Sequence, residues 1–197
     1  MSSNSQEGVR RGRPRSDRAR RAVLDAAAEL AFEGAASAGV DAIAARAGVS
    51  RTTVYKWWPS AAAVLLEGLL ERTHETIESA PSESAREALL GYMGQLVRLL
   101  RDTPVGALLR GLMAASVPDR AVSTALVDDW LAPRRTAVVS LLVEAVARGE
   151  VRAGLDYDAV ADVLFAPIYH RLIFQHEPLT ERLADEIMAV CWPGIRA

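Results

Sequence analysis

The chain has 197 residues, half of them hydrophobic, and a formal charge of −2; that much apolar material supports a packed core and excludes disorder over most of its length. One cysteine, Cys191, excludes an intramolecular disulfide and cannot form a zinc site unaided, as expected of a reducing cytoplasm. The charge is split: residues 1–60 hold ten Lys/Arg against six Asp/Glu, and the remainder hold thirteen against nineteen, so a polyanion is expected to meet only the basic head.

Residues 1–15 read as a flexible basic arm. Arg10, Arg11, Arg13 and Arg15 can bind by displacing DNA counterions and can lie in a minor groove; the plainer alternative is a solubilising tail. The segment lacks an apolar stretch behind its arginines, so it is not a secretory signal. Ser16 and Asp17 can cap a helix that runs from Arg18 to Phe32, with Val23, Leu24, Ala27, Leu30 and Ala31 as its apolar stripe. Gly34 ends it.

Val40 to Ala47 reads as a short helix with Val40, Ile43, Ala44 and Ala47 on one face, the i, i+3, i+4, i+7 spacing of a buried stripe. Gly48 follows where a helix end needs positive φ. Val49 can plug the corner, and Ser50 can cap the next helix. That helix carries Arg51, Thr52, Thr53, Tyr55 and Lys56. A short helix, a glycine turn and a polar second helix form a helix-turn-helix suited to the major groove. Arg51, Thr52 and Thr53 are the best base readers, since arginine can be bidentate to guanine and threonine can touch a thymine methyl. Lys56, the only lysine, is either a phosphate contact or a solvated charge. Of Trp57 and Trp58, one should pack beneath the head while the other covers a phosphate.

Beyond Pro59, Ser60 can cap a long helix to about Glu78. Further helices are expected from Ser82 to Arg101, from Pro104 through Met113, from Pro118-Asp119 to about Arg148 with a kink or brief break at Pro133, and from Tyr157, capped by Asp156, to about His176 with a second kink at Pro167. A last helix runs from Leu179 to Trp192, stopped by Pro193-Gly194. Nothing alternates with period two for long enough to form a strand, and no run of about 18 apolar residues spans a membrane. The fold class is therefore all-α, with about nine to ten helices. The division is an arm (1–15), a tri-helical helix-turn-helix domain (16–60) and a helical bundle (61–197).

Enzymatic chemistry finds no support: there is no Gly-rich phosphate loop, no Gly-x-Ser-x-Gly elbow and no paired carboxylates in a plausible cleft. His74, His170 and His176 show no metal spacing with a carboxylate or thiol. No catalytic residue, metal or cofactor is expected.

Gly12-Arg13-Pro14-Arg15, Ala26-Ala27-Ala28-Glu29-Leu30 leading to Phe32 and Gly34, Ile43 through Ser50, and Thr53-Val54-Tyr55 together resemble the tetracycline-repressor (TetR) family of bacterial transcription regulators. These motifs cover about residues 12–70; Trp130 to Phe174 also looks like C-terminal domains of some actinobacterial-type members. The resemblance implies a cytoplasmic, nucleoid-associated homodimer on a pseudo-palindromic, double-stranded operator, with a small-molecule effector in the C-terminal domain. It adds Tyr55 as a phosphate contact; a core aromatic is the alternative. With Ser50 and Trp57, the DNA-binding set is then Arg10, Arg11, Arg13, Arg15, Ser50, Arg51, Thr52, Thr53, Tyr55, Lys56 and Trp57.

An effector pocket should combine apolar residues with a few polar groups on the middle helices. Tyr92, Met93, Leu96, Leu112, Met113, Trp130, Phe165, Tyr169 and His170 are the candidates, with ordinary core as the alternative for each. The dimer seam implied by the family would use Val138, Leu141, Leu142, Ala145, Val160, Val163, Leu164, Ile168 and Leu172, on helices near 134–148 and 157–175. The chain departs from the family pattern at Ala38-Gly39, where a threonine cap is usual, at Trp57-Trp58, where His-Phe is common, and at Ala61, where many members carry lysine. Fewer phosphate contacts in the head should shift binding onto the arginine arm and steepen its salt dependence.

The expected function is a dimeric repressor released from its operator by a small lipophilic or aromatic effector. The alternative is a DNA-binding or partner-binding helical protein without an effector, whose C-terminal core would be filled.

Overall fold

The computed structural model describes residues 13–33, 38–73 and 82–197, and every regular element in them is helical. The helices are α1 (Arg13–Phe32), α2 (Val40–Ala47), α3 (Arg51–Tyr55), α4 (Ala61–Thr73), α5 (Ala85–Asp102), α6 (Val105–Ser116), α7 (Arg120–Ala125), α8 (Ala132–Ala147), α9 (Tyr157–Phe174) and α10 (Arg182–Ile195). A π-helical turn, Leu126–Leu131, joins α7 to α8, so 120–147 is one continuous helix. Arg10 and Arg11 lie outside the described residues. α1 begins at Arg13, earlier than expected, because Pro14 falls in its first turn, where no backbone donor is needed.

The head forms as its sequence dictates. Val23, Leu24, Ala27, Ile43, Ala44, Val54 and Trp58 bury together. Gly48 adopts φ 65°, and its N–H closes α2 on Ala44 and Ala45 carbonyls. The N-cap of α2 is Gly39, without a side-chain hydrogen bond. Because glycine is a fair N-cap, the missing threonine costs only a few tenths of a kcal/mol rather than the ~1 kcal/mol of an alanine cap. Ser60 caps α4 by accepting from Ala63 N–H at 3.2 Å.

α4 packs along α1 and also meets α6, α7 and the π-turn. The buried core therefore runs without interruption from the head into the bundle of α5 to α10. Pro133 neither breaks nor ends its helix. A proline lacks the N–H for position i−4 and its ring crowds that carbonyl; the π-turn just before it shifts the bonding register, with Ala132 N–H reaching back to Val127 O. α9 likewise runs through Pro167, and α10 through Pro193 rather than stopping there. The end of α10 is held by tertiary pairing. Val151 and Arg196 form an antiparallel bridge, Arg152 N–H donates to Ile195 O at 3.0 Å, and Ala197 N–H donates to Glu150 O at 3.1 Å. No helix among the described residues is long and apolar enough to cross a membrane.

Candidate nucleic-acid interface and internal cavity

α3 presents one face to its own core and the other to solvent. Val54 is fully buried, whereas Arg51, Thr52, Tyr55 and Lys56 are exposed and Thr53 is half-buried. Ser50 fixes the start of the helix: its Oγ accepts from Thr53 N–H at 3.2 Å and lies 2.8 Å from Thr53 Oγ1. Tyr55 is 50% exposed, so its ring is available at the surface rather than spent in the core. Lys56 Nζ sits 5.5 Å from the Trp57 ring centroid. Arg13 and Arg15 lie on the first turn of α1, on the same head.

Beneath this face, Glu67 of α4 gathers three elements. Its carboxylate accepts from the Arg20 guanidinium of α1 and from Trp58 Nε1, just past α3. Trp58 is buried, and Trp57 meets it edge-on at 5.6 Å while remaining half-buried. Arg46 of α2 holds the end of α1 through a 3.5 Å ion pair with Glu29 and paired 2.9 Å bonds to Glu33 just past the helix, which hold the Glu33 carboxyl below its usual range. α3 is thus mounted on a rigid triangle of α1, α2 and α4.

Arg51 Nε is 2.9 Å from Asp41 Oδ1, with both side chains largely exposed. An exposed pair of this kind contributes little stability, but it sets a carboxylate beside the face read as DNA-binding. Asp41→Asn should change unfolding free energy by less than about 0.5 kcal/mol. It should tighten DNA binding at low salt by about two- to fivefold, since one unit charge at this range in water is worth about 0.5–1 kcal/mol. Fluorescence anisotropy with a labelled duplex reads this out. Weaker binding would mean that Asp41 orients Arg51 for its contact.

The bundle forms a partly open cavity of about 510 Å3 between α5, α6, α8 and α9. Tyr92, Leu96, Met113, Phe165, Tyr169 and His170 line it. Met93, Leu112 and Trp130 lie instead in the surrounding core. Trp130 is fully buried behind the wall, where its Nε1 donates to the Tyr169 hydroxyl at 3.0 Å. Tyr92 and Phe165 meet edge-on at 5.6 Å. Burial pushes the Tyr92 phenol up to about 12 and raises Tyr169 too, so both keep their protons. Reading the sequence did not name Leu131, Arg134, Arg135, Ala161, Asp162, Ala166, Ile173 or Phe174 as wall residues. Arg134 carried one signal: it stands four residues after Trp130, and i, i+4 side chains meet on a helix. Its guanidinium lies over the Trp130 ring, 3.6 Å from the centroid.

Of the residues assigned to a dimer seam, Val138, Leu142, Ala145, Leu164, Ile168 and Leu172 are buried within the chain's own core, and Val138 also lines the cavity. Leu141 and Val160 are half-buried. Val163 is 57% exposed, and Val143, which sequence reading did not name, is 50% exposed on α8.

Comparison with known proteins agrees with this architecture. Residues 23–67 match the family model "Bacterial regulatory proteins, tetR family", and residues 80–191 match "Tetracyclin repressor-like, C-terminal domain". The chain is 29% identical to the HTH-type transcriptional regulator YdeS of Bacillus subtilis over 95% of both chains. It is 30% identical to the DNA-binding transcriptional repressor TetR of Mycobacteroides abscessus, covering 80% of this chain and 85% of that one. Among solved structures, the TetR family transcription regulator SCO0332 superposes with a TM-score of 0.79 at 29% identity, covering 89% of this chain and 97% of its own. Two family models that together span the head and the bundle, one of them covering more than half of the chain, show that this protein belongs to the tetracycline-repressor family of helix-turn-helix transcriptional regulators.

Proposed function

We propose that the protein is a homodimeric repressor that binds a pseudo-palindromic operator and is released from it by a small lipophilic or aromatic effector. Regulation, not catalysis, is the proposed activity, with no metal or cofactor. The observation that carries the reading is the pairing of an exposed polar α3 with an apolar cavity in the same chain, bridged by α4. A filled C-terminal core, the expectation of the effector-free alternative, is not what surrounds Tyr92 and Phe165. The M. abscessus relative, named a repressor, supports the sign of regulation.

In this reading Arg51, Thr52 and Thr53 read bases, while Ser50, Tyr55, Lys56, Trp57 and the arginines of residues 10–15 hold the backbone. Tyr92, Leu96, Met113, Phe165, Tyr169 and His170 contact the effector, and Met93, Leu112 and Trp130 support them from behind. The seam between subunits uses the outward faces of α8 and α9, where Val163 and Val143 are exposed and Leu141 and Val160 are half-buried. The buried members of the originally assigned seam brace those helices from within. Effector binding would tilt α4 and with it the Glu67 mount of α3, a rigid-body switch.

Selection of randomised duplex DNA by the purified protein at two salt concentrations tests the proposal. The expected outcome is a palindromic motif whose enrichment falls steeply with salt, because each neutralised phosphate releases counterions. Enrichment of no motif would leave only non-specific affinity and defeat the operator assignment.

A further inference from the structure

The cavity is apolar along most of its wall but carries one half-buried cation. Arg134 has one Nη bonded to the Trp130 carbonyl at 2.9 Å. Its Nε is buried with no acceptor. No Asp or Glu among the described residues pairs with it; the titratable groups near it are the uncharged phenols of Tyr92 and Tyr169. The neighbouring Arg135 differs, being held by Asp158 at 2.6 Å and Asp162 at 2.7 Å. Those two carboxylates are thus engaged at the rim and do not neutralise Arg134.

A guanidinium taken out of water without an anion is costly, and burial lowers the proton affinity of this one. The bond to Trp130 and the stacking on its ring use one edge and one face, and leave Nε unanswered. Tyr92 and Tyr169 supply the hydroxyls near it, while His170, Arg135 and Asp162 also line the cavity. The Tyr169 oxygen already accepts from Trp130 Nε1, so its own proton is free to be donated. The Tyr92 phenol stays protonated as well. One end of the cavity therefore offers a cation and two hydroxyl donors, while Leu96, Phe165, Ile173 and Phe174 line apolar wall.

From this arrangement we infer that the effector is an amphipathic carboxylate, with its carboxyl group on Arg134 between Tyr92 and Tyr169 and its apolar body along the Phe165 side of the cavity. The inference rests on reading the cavity as the effector site. Guanidinium matches carboxylate in shape and charge, and such bonds are about twice as strong as neutral ones.

Matched acid and amide probes test it. Dodecanoate and 2-naphthoate, each against its primary amide and well below micelle-forming concentrations, are titrated into full-length protein while tryptophan fluorescence and melting temperature are followed. On the native protein the acid of at least one pair should bind about tenfold or more tightly than its amide. That preference should shrink to about threefold or less in Arg134→Gln and partly persist in Arg134→Lys. Equal binding of acid and amide by the native protein overturns the carboxylate assignment and leaves the cavity as an effector site. This comparison holds even if Arg134→Gln fails to fold. An acid preference that survives intact in a folded Arg134→Gln places the anion elsewhere and overturns the role of Arg134. Binding of none of the four probes overturns both this inference and the effector reading beneath it.

Discussion

Trp130→Ala should destabilise the protein by about 3–5 kcal/mol, the range for truncating a fully buried large aromatic. Three losses coincide. The indole is wholly buried in the π-turn, so its removal leaves a void where α7, α8 and α9 converge. Tyr169 loses its 3.0 Å donor. Arg134 loses the ring beneath its guanidinium. Typical domains are stable by about 5–15 kcal/mol, so a large share would go, and Tm should fall by roughly 10 °C for a chain of this size. Trp130→Phe keeps most of the packing and drops one hydrogen bond, for about 1 kcal/mol. Urea unfolding with both variants reads the difference. If Trp130→Ala lost less than about 1 kcal/mol, the convergence of helices on this residue would not be where stability resides.

Gly68→Val should cost about 1–3 kcal/mol, or more, and should weaken DNA binding as well. A β-carbon built at Gly68 falls 2.6 Å from the Leu24 carbonyl oxygen and 3.2 Å from Ala28 N, both backbone atoms of α1. No rotamer relieves a clash with backbone, so α4 would have to move away from α1. Glu67, the adjacent residue, holds Arg20 and Trp58; shifting α4 therefore disturbs the mount of α3. Gly68→Ala should fall between the two, because the better helix propensity of alanine, about 1 kcal/mol, offsets part of the clash. Denaturation midpoints combined with operator titration check this. Unchanged stability of the valine variant would show that α1 and α4 separate freely.

The helix-turn-helix was legible because its signals are local. Gly48 requires positive φ, Ser50 caps α3, and Val40, Ile43 and Ala44 share one face, all within eleven residues. Caps at Ser60 and Asp156 were legible for the same reason. Helix ends governed by distant partners were not. α10 passes Pro193 because residues 150–152 pair with its last turn, and no local rule contains that pairing. Pro133 signalled a kink, but whether the chain answers with a break or a π-turn depends on what packs around Trp130.

The cavity marks the same divide at the site. Aromatic and apolar residues on α5, α6 and α9 could be gathered from the sequence, and six of the nine named line the cavity. Their spacing could not separate wall from backing: Met93 and Trp130 have the same composition-level credentials as Tyr92 and Phe165, yet sit in solid core. The seam residues divide likewise. Periodicity finds the apolar stripe of α8 and α9, but the stripe packs inward, and Val143 and Val163 stand exposed on other faces.

What the sequence determined by itself is the all-helical class, the basic head, the caps and turn of the helix-turn-helix, and the family, because each is written in neighbouring residues or in their order. The tertiary structure alone decided which side chains face a void, that Glu67 ties three elements together and that Arg134 is half-buried without a carboxylate partner among the described residues. Those facts depend on distances between residues remote in the chain, where packing and desolvation, rather than local propensity, set the energy.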